Sequence, residues 1–172
     1  MASANLSVLV GKNFACIKIA GRANFASSLD FKTLLNELAQ KGFGHFIIDL
    51  SECVLMDSTF LGVLAGFGLK LNPNGAPADR GIVLNNTSAR VGELLENLGA
   101  AHLFKTTRGP LQLPADVQAC VPETSSPSHE EITRTCLEAH QTLMAINPDN
   151  QARFKDVAQF LAEDLKCLEK SQ

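Results

Sequence analysis

The stretch from Phe46 to Leu71 constrains the fold more than any other part of the chain. It opens on a nearly continuous apolar run, Phe46-Ile47-Ile48-Asp49-Leu50, of the kind expected of a central strand covered on both faces. After a loop over 51–57, Phe60 to Leu71 is apolar almost all round, so a helix here must also be buried. Gly62, Gly66 and Gly68 lie within it. Glycine costs a helix interior about 1 kcal/mol relative to alanine, so tertiary packing has to compensate, and close approach to a sheet is the expected cause. A phosphate-binding role for these glycines is disfavoured because they match neither GxxxxGK[ST] nor GxGxxG.

The flanking segments supply the rest of a sheet and its helices. Leu6 to Val10 and Phe14 to Ala20, separated by Gly11-Lys12-Asn13, read as a β-hairpin. Ser27 to Gln40 carries Phe31, Leu34, Leu35 and Leu38 at helical spacing, with Ser27 or Ser28 available as a cap and Gly42 as a stop. Asn72-Pro73-Asn74-Gly75 ends the next helix, Gly81 to Leu84 is a strand, Ser88 to Leu98 an amphipathic helix, and Leu103 to Thr106 a last strand. The order β-β-α-β-α-β-α-β predicts an α/β domain over residues 1–112, with a mixed β-sheet of about five strands packed by α-helices.

Residues 113–127 are rich in Pro, Ser and Thr and read as a linker. Residues 128–172 read as a C-terminal helical hairpin extension. Ser128-His129-Glu130-Glu131 fits a capping box ahead of the face Ile132, Cys136, Ala139, Leu143 and Ile146, and Asn147-Pro148 starts a second helix with the stripe Phe154, Val157, Ala158, Leu161, Leu165 and Leu168. Neither helix can bury its stripe alone. Internal packing is the favoured outcome; left exposed, the stripe would make a homodimer contact or a peptide site.

Charge and cysteine usage exclude several functions. Residues 1–112 carry ten Lys/Arg against eight Asp/Glu, and residues 113–172 five against ten, so no basic stripe marks nucleic acid as a direct partner. The 5 cysteines are widely spaced, with no CxxC pair and no His at ligand spacing, and read as reduced thiols with no metal. No cationic start precedes a long apolar stretch, and no run approaches the roughly 20 residues that span a bilayer, so the expectation is a cytoplasmic protein without membrane insertion. His45, His102, His129 and His140 sit in no HxxxH or HExxH arrangement and no GxSxG surrounds Ser58, so an enzyme is not expected.

The segment Phe46-Ile47-Ile48-Asp49-Leu50-Ser51, followed by Met56-Asp57-Ser58-Thr59-Phe60-Leu61-Gly62, resembles the signature of the STAS domain, in which a strand of the type hhhDL precedes D-S-[ST]-G-L-G. The resemblance covers about residues 5 to 110, including the order of elements. It implies an anti-sigma factor antagonist: a bacterial phosphoprotein that acts in signal transduction and transcription regulation by partner switching. The implied partner is an anti-sigma factor that is itself a serine kinase and holds the ATP, with no cofactor on this chain. The phosphorylated serine of the family falls on Ser58, with Thr59 as a second acceptor. Partner contacts are implied for Arg22, Asn24, Phe25, Asp57, Ser58, Thr59 and Phe60. Phe60 stands where the family often has Gly, placing a ring near the docking face, and Asn24 stands where many members are acidic. The alternative is a phosphorylation-independent STAS adaptor subunit of a membrane transport or signalling assembly.

The chemistry of the site is separable from the family. A serine at a helix N-cap accepts bonds from free N–H groups, and a phosphate there is favoured by those donors and by the helix dipole. Phosphorylation adds about −1.5 to −2 charge at neutral pH, enough beside Asp57 to alter a partner surface. The competing reading of Asp57-Ser58 is a structural cap alone.

Overall fold

A computed structural model of the chain describes residues 3–73 and 80–171. Asn74 and Gly75 of the expected helix stop lie outside these. The strands are β1 (Asn5–Val10), β2 (Ala15–Ala23), β3 (His45–Asp49), β4 (Cys53–Met56), β5 (Gly81–Asn85), β6 (Lys105–Thr107) and β7 (Gln118–Cys120). Six run in the order β6-β5-β3-β2-β1-β7, and β4 pairs with β2 off this path. The β1–β2 hairpin is antiparallel with Val8 opposite Ile17, while β3 joins β2, β5 joins β3 and β6 joins β5 in parallel.

Among the described residues seven strands stand in place of the expected five or so. β4 lies in the expected loop over 51–57, and β7 adds to the free edge of β1 from within the expected linker 113–127. Both are too short for alternation to show in the sequence. The last strand begins later than expected, because Ala101–Leu103 forms a 3-10 turn ahead of β6.

Register places Val8, Ile17, Phe46, Ile48, Ile82 and Leu84 on one face of the sheet, all buried. Leu9, Lys18, Ile47 and Val83 take the other and are only partly covered. The expectation of a β3 covered on both faces is therefore corrected: it is half-buried, as the single core shared by the helices requires.

α1 (Phe25–Gln40), α2 (Ser58–Leu71) and α3 (Ala89–Asn97) feed apolar residues into that core. The cap of α1 is Asn24, whose side chain accepts from the Ala26 N–H, and not Ser27 or Ser28. Those two serines are buried, and their hydroxyls donate back to the carbonyls of Asn24 and Phe25.

α4 (His129–Ile146) and α5 (Asp149–Lys170) form the expected hairpin, with the capping box at Ser128 and Glu131 in place. Asn147 is extended and its side chain accepts from the Asp149 N–H, so it opens α5 as read. The hairpin has a small core of its own, Leu137, Ala158 and Leu165, and docks α4 across α2 and the edge of α1, with Ala139 and Leu143 entering the main core. Of the α5 stripe, Val157 stays exposed.

That docking accounts for the glycines of α2 differently from the sequence reading. A β-carbon on Gly62 would meet the backbone and side chain of Ala139, and one on Gly66 would touch Thr142. Gly62 makes room for α4, not for the sheet. Only Gly68 turns toward Phe104 and the sheet residue Ile82.

Candidate functional site

The strand pair β2–β4 positions the site. Gly21 aligns with Cys53 and Ala23 with Met56, and the Asp57 N–H donates to the Ala23 carbonyl, so the two strands end together. α1 and α2 therefore start side by side. The Asp57 carboxylate bridges them: one oxygen accepts from the Phe60 N–H of α2 and the other from the Phe25 N–H of α1, both at 2.8 Å. Each bond satisfies a donor that a helix start leaves free. Burial pushes the Asp57 carboxyl above the usual carboxylate range, and these N–H donors and the nearby His140 offset only part of that.

Asp57 is thus the N-cap, and Ser58 is the first residue of the helix. The expectation of Ser58 as the capping residue is corrected. Freed from capping, the half-buried Ser58 hydroxyl points at α4 and lies 2.9 Å from His140 Nε2. The other ring nitrogen, Nδ1, is 2.7 Å from the Cys136 carbonyl oxygen. A carbonyl only accepts, so Nδ1 carries a proton; whenever the ring is neutral, Nε2 is then the acceptor and Ser58 the donor. His140 is 5% exposed and its ring stands edge-on to Phe154 at 5.0 Å.

Thr59 is buried, with its hydroxyl near the Cys136 thiol. Burial raises the Cys136 thiol pKa, the Thr59 hydroxyl offsets part of this, and the Asp57 charge adds to the rise.

The structure brings Arg22, Asn24, Phe25, Asp57, Ser58 and Thr59 to one end of the sheet but divides their roles. Arg22 and Phe25 are exposed, Asp57 and Ser58 are half-buried, and Asn24 is a buried cap. Phe60 corrects the expectation of a ring near the docking face: it is 0% exposed and stacked on Phe31 with centroids 4.4 Å apart.

His140 and Cys136 belong to the site although sequence reasoning did not place them there. They lie about eighty residues away on another element, and no local spacing links them to Ser58. The pair Ser58–His140 has nucleophile-and-base geometry, and the Phe60 N–H of the same helix start is taken up by Asp57. Among the described residues no cluster of His, Cys, Asp or Glu could hold a metal, and no helix is long and apolar enough to cross a membrane.

Two parallel-fed helix starts bridged by one carboxylate, with adjacent hydroxyls on the second, define a mixed α/β domain of the STAS class. The STAS domain family matches residues 5–111, and the chain belongs to that family. Its curated relatives include the anti-sigma-B factor antagonist of Staphylococcus epidermidis, 25% identical over 105 residues that make up 61% of this chain and 94% of the relative. The anti-sigma-B factor antagonist of Staphylococcus aureus (strain NCTC 8325 / PS 47) is 26% identical over 105 residues, with the same 61% and 94% coverage.

Among solved structures, the anti-sigma factor antagonist SpoIIAA in its unphosphorylated form is similar with a TM-score of 0.50 and 16% identity, over 60% of this chain and 87% of that one. An anti-sigma factor antagonist from Mycobacterium paratuberculosis gives a TM-score of 0.51 at 13% identity, over 61% and 86%. These likenesses show the fold. The α4–α5 hairpin lies beyond the matched domain.

Proposed function

We propose that this protein is a non-catalytic partner switch. Its helix-start face binds an anti-sigma factor that is itself a serine kinase, the ATP is held by that partner, and phosphorylation of Ser58 ends the association. The relatives named as anti-sigma-B factor antagonists support the general role. The observation that carries the reading is the division of labour at the start of α2: Asp57 does the capping, which leaves the Ser58 hydroxyl without a structural duty to its own helix. A phosphate at this first helical position is favoured by the dipole, while its charge beside Asp57 changes the surface a partner meets. Arg22 and Phe25 flank it as exposed contacts. The same geometry supports partner switching at Ser58 over Thr59, which is buried.

Affinity capture with the wild type, Ser58→Ala and Ser58→Asp in parallel tests this. Ser58→Ala should retain the partner, and Ser58→Asp should weaken it by about tenfold or more, since one buried like-charge contact is worth at least about 1.4 kcal/mol. Equal capture by all three would sink the switch. The phosphorylation-independent adaptor draws support from the hydrogen bond that engages Ser58 with His140, and equal capture of a transport or signalling subunit would favour it.

A further inference from the structure

The family domain ends near residue 111, yet Ser58 within it is held by a side chain from residue 140. We propose that the α4–α5 hairpin is a displaceable cover, and that the surface beneath it on α1 and α2 is a helix-docking surface which a partner reaching Ser58 takes over from α4.

Three observations place the cover over the site. His140 Nε2 lies 2.9 Å from the Ser58 oxygen, so a phosphate attached there would run its oxygens into the imidazole. The Cys136 carbonyl, one turn back on α4, fixes the His140 ring in that position, 2.7 Å from Nδ1. Ala139 reaches the backbone of Gly62 one turn further along α2, which leaves no gap for a second macromolecule between the helices.

The contact also has the composition of a surface that opens. Beside Ala139, Leu143 and the partly buried Ile146 and Phe154 it uses polar groups, Ser58, Thr59 and His140, where a permanent core would be more uniformly apolar. The hairpin keeps a separate small core in Leu137, Ala158 and Leu165, so its two helices have contacts that do not depend on docking. At the rim, Lys32 pairs with Glu138 at 2.6 Å, both substantially exposed, which directs the approach more than it holds it. The occupant that fits this surface is therefore a helix carrying a small residue over Gly62 and a carboxylate facing Lys32. α4 supplies both from within the chain, and a partner helix of the same chemistry would compete with it.

What displaces the hairpin rests on the partner-switch reading; that it covers Ser58 does not, and is tested without any partner. In the full chain, Ser58→Cys places a thiol where the hydroxyl was, and N-ethylmaleimide labelling followed by peptide mass spectrometry reads each cysteine separately. Cys120 and Cys167 are exposed references, and the buried Cys16 and Cys53 report that the domain stays folded. The position-58 thiol should label at least about tenfold more slowly than Cys120, because labelling follows the fraction of open molecules. Adding Ala139→Phe, which cannot fit against Gly62, should raise the rates at positions 58 and 136 together while Cys16 and Cys53 remain protected.

A position-58 thiol that labels as fast as Cys120 in the single variant overturns the cover. So does a half-buried Cys136 whose rate does not rise with Ala139→Phe, or one whose rate rises without that of position 58. If Ala139→Phe exposes Cys16 and Cys53, His140→Ala replaces it, and no acceleration at position 58 in that variant has the same consequence. A hairpin that opens as described, together with equal capture by the Ser58 variants, would leave the cover standing and remove only the switch.

Discussion

A β-carbon on Gly62 would lie 2.5 Å from the carbonyl oxygen of Ala139 and 2.6 Å from its side chain, so α2 and α4 touch backbone to backbone. Gly62→Ala sets two effects against each other. Alanine favours the helix by about 1 kcal/mol, but the group it meets is main chain and cannot turn aside. The clash wins at the α2–α4 contact. Amides of α4 should exchange with deuterium faster than in the wild type, while those of β2, β3 and β5 exchange at the original rate or slower. Unchanged exchange in α4 would show that the helices separate at no cost.

Asp57 gives the protein an unusual pH response. Its carboxyl titrates above the ordinary range because burial disfavours the charged form. The folded state then holds the proton more tightly than the unfolded state, so this group's contribution to stability falls as pH rises from the ordinary carboxylate pKa through the raised one. Most paired carboxylates do the reverse. Asp57→Asn removes the titration and also loses one of the two bridging bonds, because an amide nitrogen cannot accept from an N–H. Urea unfolding of both proteins between about pH 4 and 7 should give a stability difference that favours the wild type most at the acid end. A difference that grows toward neutral pH would place the Asp57 pKa below, not above, its ordinary value.

Phe60 and Phe25 separate packing from recognition. Phe60→Ala removes a fully buried ring from its stack on Phe31 and should cost about 3–5 kcal/mol in denaturant unfolding. Phe25 is 46% exposed, so Phe25→Ala should change stability by less than about 1 kcal/mol. Under the proposed function it is Phe25→Ala that weakens partner capture. A large stability loss at Phe25 would mean that its ring serves the fold.

These residues also mark what could be read from the chain. Local order was legible where apolar spacing or cap chemistry is self-contained: the β1–β2 hairpin, the α2 helix and the capping box at Ser128 all form, although β2 continues past its expected end at Ala20, through Gly21, to Ala23. Short strands were not. The three residues of β7 are all exposed and are placed by pairing with β1, which no pattern within 118–120 encodes. The site was half legible. Asp57 and Ser58 could be found from the strand-to-helix motif, but which of them caps depends on the Phe25 N–H arriving from another helix. The orientation of Phe60 and the arrival of His140 are tertiary facts, set by how α1 and α4 pack on α2.

The far end of the hairpin provides the last test. Asn150 is completely buried, and its amide nitrogen donates to the Leu98 carbonyl at 2.9 Å, after α3, and to the Leu143 carbonyl at 2.7 Å, in α4. One side chain thereby ties the start of α5 to the end of the family domain. Asn150→Ala leaves two buried acceptors without these donors and should cost about 2–3 kcal/mol. Asn150→Asp should cost more, because a carboxylate turned toward two carbonyl oxygens has no proton to offer unless it stays neutral. If α5 is held here, both variants should speed exchange in α4 and α5 before the sheet loosens, with Asp the stronger. Equal effects of Ala and Asp would mean that the position contributes volume alone and that the two hydrogen bonds do not hold the hairpin down.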